Sequence, residues 1–412
     1  MSLVQIASLL IVLAAVFGTI NYLFFRLPAS IGILLGALLT SVGMMIFDAF
    51  FPGFGLADRM RQVVSGLDFS EALMEGMLGL LLFAGALHVK VADLRSQWKM
   101  VLLMATLGVA LSTAVVGYAF SWVTGLPVAV ALVFGALISP TDPVAVLGIL
   151  QAAKLRKSLE TRIAGESLFN DGVGYVVYLL LVSIAFPDGT AEGHGTSLSQ
   201  VVVLFAREAG GGLIAGVVLG YLVFRVMRHI DEPALEVLIT LALAFGGYEL
   251  ASALGLSAPI MAVSAGLLIG DIGARKGMSE RTWKYVEAFW SMIDEILNAV
   301  LFMLIGFEVF AVAFKTNYLI AAVIAIGLSL VARLISVAVP ILLLRQRVDF
   351  GNGTIPIMTW GGLKGGISVA LALSLPDSEA KPMILAATYC VVVFSILVQG
   401  LTVGRLAQKV GQ

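Results

Sequence analysis

Six ionisable side chains stand in otherwise apolar stretches of this chain: Glu75, Asp142, Glu166, Asp171, Arg333 and Lys364. At the centre of a bilayer such a group costs roughly 2.5–3.5 kcal/mol on insertion scales, so each calls for a partner or a water-filled cavity. The spacing in Glu166-Ser167-Leu168-Phe169-Asn170-Asp171-Gly172 is informative. On a helix Ser167 and Asp171 share one face at i, i+4, and Glu166 and Asn170 share another. A hydroxyl and a carboxylate are the hard oxygen ligands that a dehydrated alkali cation needs. Glu166 and Asn170 suit a different task, the bracing of a buried guanidinium such as that of Arg333.

The whole composition places these residues in a membrane. Of 412 residues 60% are hydrophobic, 12% are charged, and mean hydropathy is +1.03. A soluble domain carries roughly 25% charged residues. The formal charge of −1 gives no electrostatic handle for nucleic acid. A single cysteine, Cys390, excludes a disulfide framework, and His88, His194 and His229 are too scattered for a zinc motif. No metal cofactor or other prosthetic group is expected. Ser167 also lacks a histidine near it in any segment, which argues against an intramembrane hydrolase.

A bilayer-spanning helix needs about 20 apolar residues, and cutting at charges, glycine turns and prolines yields thirteen segments. They are 3–25, 28–46, 68–88, 99–123, 126–153, 160–186, 199–224, 234–252, 255–272, 282–311, 317–344, 354–375 and 383–408. The uncharged stretch from Val101 to Thr141 is too long for one span and is expected to turn back at Gly125-Leu126-Pro127. With odd-numbered segments followed by one side, that side receives 18 Lys and Arg against 4 on the other. Basic loops are retained on the cytoplasmic side, so the N-terminus is expected outside and the C-terminus inside a plasma (inner) membrane.

Segments 5 and 12 each carry a polar interruption, Ser139-Pro140-Thr141-Asp142-Pro143 and Thr359-Trp360-Gly361-Gly362-Leu363-Lys364-Gly365-Gly366. The two prolines remove backbone donors, so segment 5 should unwind there. Lys364 would offset the negative dipole of half-helix C-termini. Segments seven apart run in opposite directions, as two inverted halves would, and paired interrupted segments point to a transporter site. Glu236, Asp294 and Glu295 could line an access funnel, although an ordinary solvated helix face fits the sequence equally.

Three stretches carry a resemblance: Ile138-Ser139-Pro140-Thr141-Asp142-Pro143-Val144, the Glu-Ser-x-x-Asn-Asp-Gly-x-Gly of 166–174, and Trp360 to Gly366. Together and in this order they resemble the signatures of the monovalent cation:proton antiporter 1 family, the NhaP and sodium/proton exchanger group. The resemblance implies an all-α fold of thirteen transmembrane helices in two inverted-topology repeats, with broken helices 5 and 12 crossed. It implies interface helices 1–3 (1–98) and 8–10 (234–311), core helices 4–6 (99–186) and 11–13 (317–412), and a linking helix 7 (199–224). Asp171 would accept the proton and the cation, with Asp142, Ser167, the Thr141 backbone carbonyl and Glu75 as fellow ligands. Asn170, Glu166, Arg333 and Lys364 would support the site. A homodimer serving pH homeostasis is implied as well.

Asn170 ahead of Asp171 resembles the electroneutral branch, in which one carboxylate exchanges one proton for one Na+ or Li+. The family usually has Arg where this chain has Lys364, and a buried lysine can lose its proton while Arg does not. A K+/H+ exchanger with the same site remains an alternative, since cavity size and not spacing decides the cation. A channel is a third reading, disfavoured because no repeated carbonyl filter such as TVGYG is present.

Overall fold

Helical residues occupy all thirteen of these windows, and no strand is present among the described residues. The computed structural model describes residues 3–51, 53–65, 76–142, 157–187, 203–312, 315–346, 350 and 353–410. In chain order the helices are α1 Leu3–Ile20, α2 Ala29–Phe50, α3 Leu56–Ser65, α4 Leu78–Leu87, α5 Val91–Leu103, α6 Val109–Thr124, α7 Val128–Ile138 and α8 Lys157–Ala185. Then follow α9 Gly211–Met227, α10 Pro233–Ala253, α11 Ala258–Leu268, α12 Glu280–Phe307, α13 Thr316–Leu344, α14 Thr354–Trp360, α15 Gly366–Leu373, α16 Lys381–Phe394 and α17 Gly400–Val410.

Among the described residues nine helices are long and apolar enough to cross a membrane. Their outer surfaces fit lipid: Trp122, Tyr22 and Val323 are 89%, 80% and 70% exposed, a pattern that water would penalise. The hairpin expected at residues 125–127 is present. Gly125 adopts φ +74°, its N–H closes the last turn of α6 on the Ser121 carbonyl at 2.9 Å, and Pro127 caps α7. Several boundaries shift by up to about four residues, and the start of segment 4 shifts further. Segment 4 begins at Val91 rather than residue 99, because α5 runs through a π turn into α6 as one span, Val91–Thr124. The charges that suggested a loop are solvated on its first turns, where Asp93 pairs with Lys157 at 2.9 Å.

Three apolar clusters pack the molecule. One joins α1, α2, the C-terminal halves of α12 and α13, and α14. A second joins α4 and α9–α11 to the N-terminal half of α12. The third joins α6 and α7 to α13, α15 and α16. The helix carrying Asp171 enters all three: Leu159 and Ile163 of α8 belong to the first, Leu168 to the second and Tyr178 to the third. Its polar face therefore lies where the clusters meet.

Candidate functional site

The site is built where two helices stop. α7 ends at Ile138 with Ser139 as its C-cap, and Pro140, Thr141 and Asp142 carry no helix because Pro140 has no amide hydrogen with which to continue the ladder. α14 ends at Trp360, and residues 362–365 are non-helical until α15 begins. The two unwound stretches meet: the Asp142 N–H donates to the Leu363 carbonyl at 2.8 Å. Contact this close requires glycine. A Cβ on Gly365 would lie 2.6 Å from that of Asp142, and one on Gly362 would lie 2.1 Å from Arg333 Nε.

Unwinding frees backbone groups that must find partners in a dry interior. Lys364 Nζ donates to the Ser139 and Pro140 carbonyls at 3.0 and 3.2 Å, so its ammonium caps the C-terminal end of α7. The Thr141 N–H donates to Asn170 Oδ1 at 3.3 Å, and Asn170 Nδ2 returns a bond to Thr141 Oγ1 at 2.8 Å. Thr141 Oγ1 and Ser167 Oγ share a further bond of 2.9 Å. The side chains of Thr141, Ser167 and Asn170 thus clamp the unwound part of segment 5 to α8.

Glu166 pairs with the guanidinium without Asn170. Both terminal nitrogens of Arg333 bond its carboxylate, Nη1 to Oε1 and Nη2 to Oε2, the latter at 2.9 Å. Arg333 Nε and Nη2 also donate to the Met358 carbonyl at 3.2 and 3.1 Å, satisfying an orphan acceptor of α14. The expectation that Asn170 would help to satisfy Arg333 is corrected here. The Thr141 amide had lost its helical acceptor and took Asn170, while Met358 filled the remaining guanidinium positions.

Asp142 and Asp171 line one cavity of about 70 Å³, together with Thr141, Asp294, Asn298 and Ser368. Asp171 is 8% exposed. A larger vestibule of about 420 Å³ is lined by Lys90, Asp93, Lys157, Glu160, Asp294 and Glu295, among others. The two share Gly85, Leu168 and Asp294 as a common wall. Asp294 and Glu295 thus occupy the funnel position that the sequence left open. Glu236 does not, being fully buried in the first turn of α10, where that helix packs on α12. Glu75 lies outside the described residues. Asn298 was missed, although its i, i+4 spacing from Asp294 was readable.

Interrupted membrane helices crossing beside buried carboxylates define the secondary-transporter class of fold. The family model described as sodium/hydrogen exchanger, transmembrane, matches residues 11–409. The chain is 44% identical over 420 residues to the Na(+)/H(+) antiporter NhaP of Pseudomonas aeruginosa, covering 99% of this chain and 97% of that one. It is 35% identical over 354 residues to the Na(+)/H(+) antiporter NhaH of Halobacillus aidingensis, covering 83% and 84%. The solved structure of the sodium proton antiporter MjNhaP1 from Methanocaldococcus jannaschii shares the fold, with a TM-score of 0.78 at 19% identity over 100% of both chains. The chain belongs to the transmembrane sodium/hydrogen exchanger family, a family of transporters and not of enzymes.

Proposed function

We propose that this chain is a secondary-active antiporter that exchanges one Na+ or Li+ for one proton by competition at Asp171. The observation that supports this most is the shared cavity: Asp171 and Asp142 line it at the crossing of two unwound stretches, and it adjoins a vestibule with further carboxylates. The cation ligands are Asp171, Asp142, Ser167 and the Thr141 carbonyl, with Glu75 added from sequence. Asn170, Glu166, Arg333 and Lys364 hold these ligands in place. Asp171 is neutralised by a proton in one loaded state and by a cation in the other. Asp142 and Lys364 carry the same charges in both, so the cycle moves no net charge.

Alternating access follows from a division of the molecule in which residues 99–186 and 317–412 move against 1–98 and 234–311, with 199–224 as the link. Packing supports it: α12 packs on α1, α2, α4 and α10, whereas α13 packs on α6, α14 and α16. The vestibule sits on the side of the basic loops, so the conformation faces the cytoplasm, with the N-terminus outside. A homodimer in the inner membrane is part of the same reading.

The test uses purified protein in liposomes holding a pH-sensitive dye, with Na+, Li+, K+ and choline added in turn at clamped potential. Proton efflux driven by Na+ or Li+ and indifferent to voltage supports the proposal. A response to K+ alone changes the substrate, and cation flux without proton movement contradicts antiport.

A further inference from the structure

One polar pair on the wall of the cavity has no task in exchange at Asp171. Asp294 and Asn298 lie one turn apart on α12, and Asn298 Nδ2 donates to Asp294 Oδ1 at 3.1 Å and to the Asp294 carbonyl at 2.8 Å. Asn298 is 3% exposed, and among the described residues no donor reaches its Oδ1. Both residues line the cavity with Asp142 and Asp171, and Asp294 also lines the vestibule. One carboxylate therefore borders both compartments. Leu301, farther along the same face, packs on Gly366 at the start of α15. At 1.5 Å per residue, Asp294 lies about 10 Å from there toward the vestibule.

Room and rigidity suit a cation. A water's share of liquid volume is about 30 Å³, so a cavity of this size takes about two, enough for an ion that keeps part of its shell. An aspartate oxygen and an amide oxygen one turn apart are hard ligands for it. Below the pair α12 is anchored: the fully buried Trp290 ring lies 4.7 Å from that of Phe83, and its Nε1 donates to Thr240 Oγ1 at 3.0 Å. The pair is thus fixed to the packing group of α4 and α10, while Asp171 belongs to α8.

We propose that Asp294 and Asn298 form a second monovalent-cation site, where a partly hydrated Na+ pauses between the vestibule and Asp171. The site rests on the reading of Asp171 as the transport carboxylate. Because it borders the vestibule, it acts on ions arriving from that face.

Two measurements decide it. Radiolabelled Na+ bound to purified D171N should show a residual saturable component that is absent from D171N/D294N; identical binding by the two proteins overturns the proposal. In everted and right-side-out vesicles, D294N should raise KM for Na+ presented at the vestibule face about tenfold, with a smaller change at the other face, and D294E should restore most of it. An equal rise at both faces, as a merely structural lesion gives, overturns it too. Exchange surviving in D171N would overturn the assignment of Asp171, a readout separate from the binding that decides Asp294.

Discussion

The backbone N–H of Asp142 donates to the carbonyl of Leu363 at 2.8 Å, so the unwound backbones of two interrupted helices bond to each other directly. The bond exists because Gly365 leaves room for Asp142. Side-chain bulk at residue 365 pushes the unwound segments apart and displaces a cation ligand with them.

Gly365→Ala should accordingly reduce exchange on the order of a hundredfold, the usual consequence of moving reacting groups by about 1 Å. Gly327→Ala is the control, since a Cβ there meets nothing within 4 Å. Dye-monitored exchange in liposomes compares the two. Equal activity in both variants would show that the crossing tolerates separation.

Glu166→Gln should destabilise the protein by about 3–5 kcal/mol, because it leaves the Arg333 guanidinium buried without its counter-charge. Thermal unfolding in detergent reads this directly. Replacing both residues, as in Glu166→Leu with Arg333→Met, should recover much of the loss, as apolar substitutes for buried pairs commonly do. A Glu166→Gln protein that melts with the parent would contradict a bracing role.

Lys364 caps α7 through two carbonyls, a task for a cation. Lys364→Arg should keep exchange independent of voltage. Lys364→Met leaves those carbonyls unpaired at a cost of about 1–3 kcal/mol and should lower both melting temperature and exchange. A new voltage dependence in Lys364→Arg, read at clamped potential, would show that Lys364 itself titrates in the cycle.

Competition fixes the sign of the pH response. Lowering pH loads Asp171 with protons, so the apparent KM for Na+ should rise, by about tenfold per pH unit in the acid limb, while the rate at saturating Na+ holds. The reverse pattern, constant KM with a falling maximal rate, would place pH control at a separate group.

Much of this site was legible because it rests on local chemistry. Pro140 and the glycines flanking Lys364 announce broken helices by backbone rules alone, and Glu166 and Arg333 announce a pair because neither tolerates lipid alone. The partner of Asn170 was not legible. Its choice depended on which backbone amide the crossing left without an acceptor, a tertiary fact. Asp294 was ambiguous for the same reason: helical spacing sets its face but not whether lipid, water or a cavity meets that face. The charges at Asp93, Arg95 and Lys99 hid the true start of segment 4, since a helix emerging into water resembles a loop in composition.

Exchange by competition requires that one carboxylate carry either the proton or the cation. Sodium uptake driven by an imposed pH gradient, measured in liposomes with Asp171→Asn beside the parent protein, tests it most directly. Uptake should fall to the level of empty liposomes while the variant stays folded and inserted. Uptake at the parental rate would contradict it and move the exchange to another group.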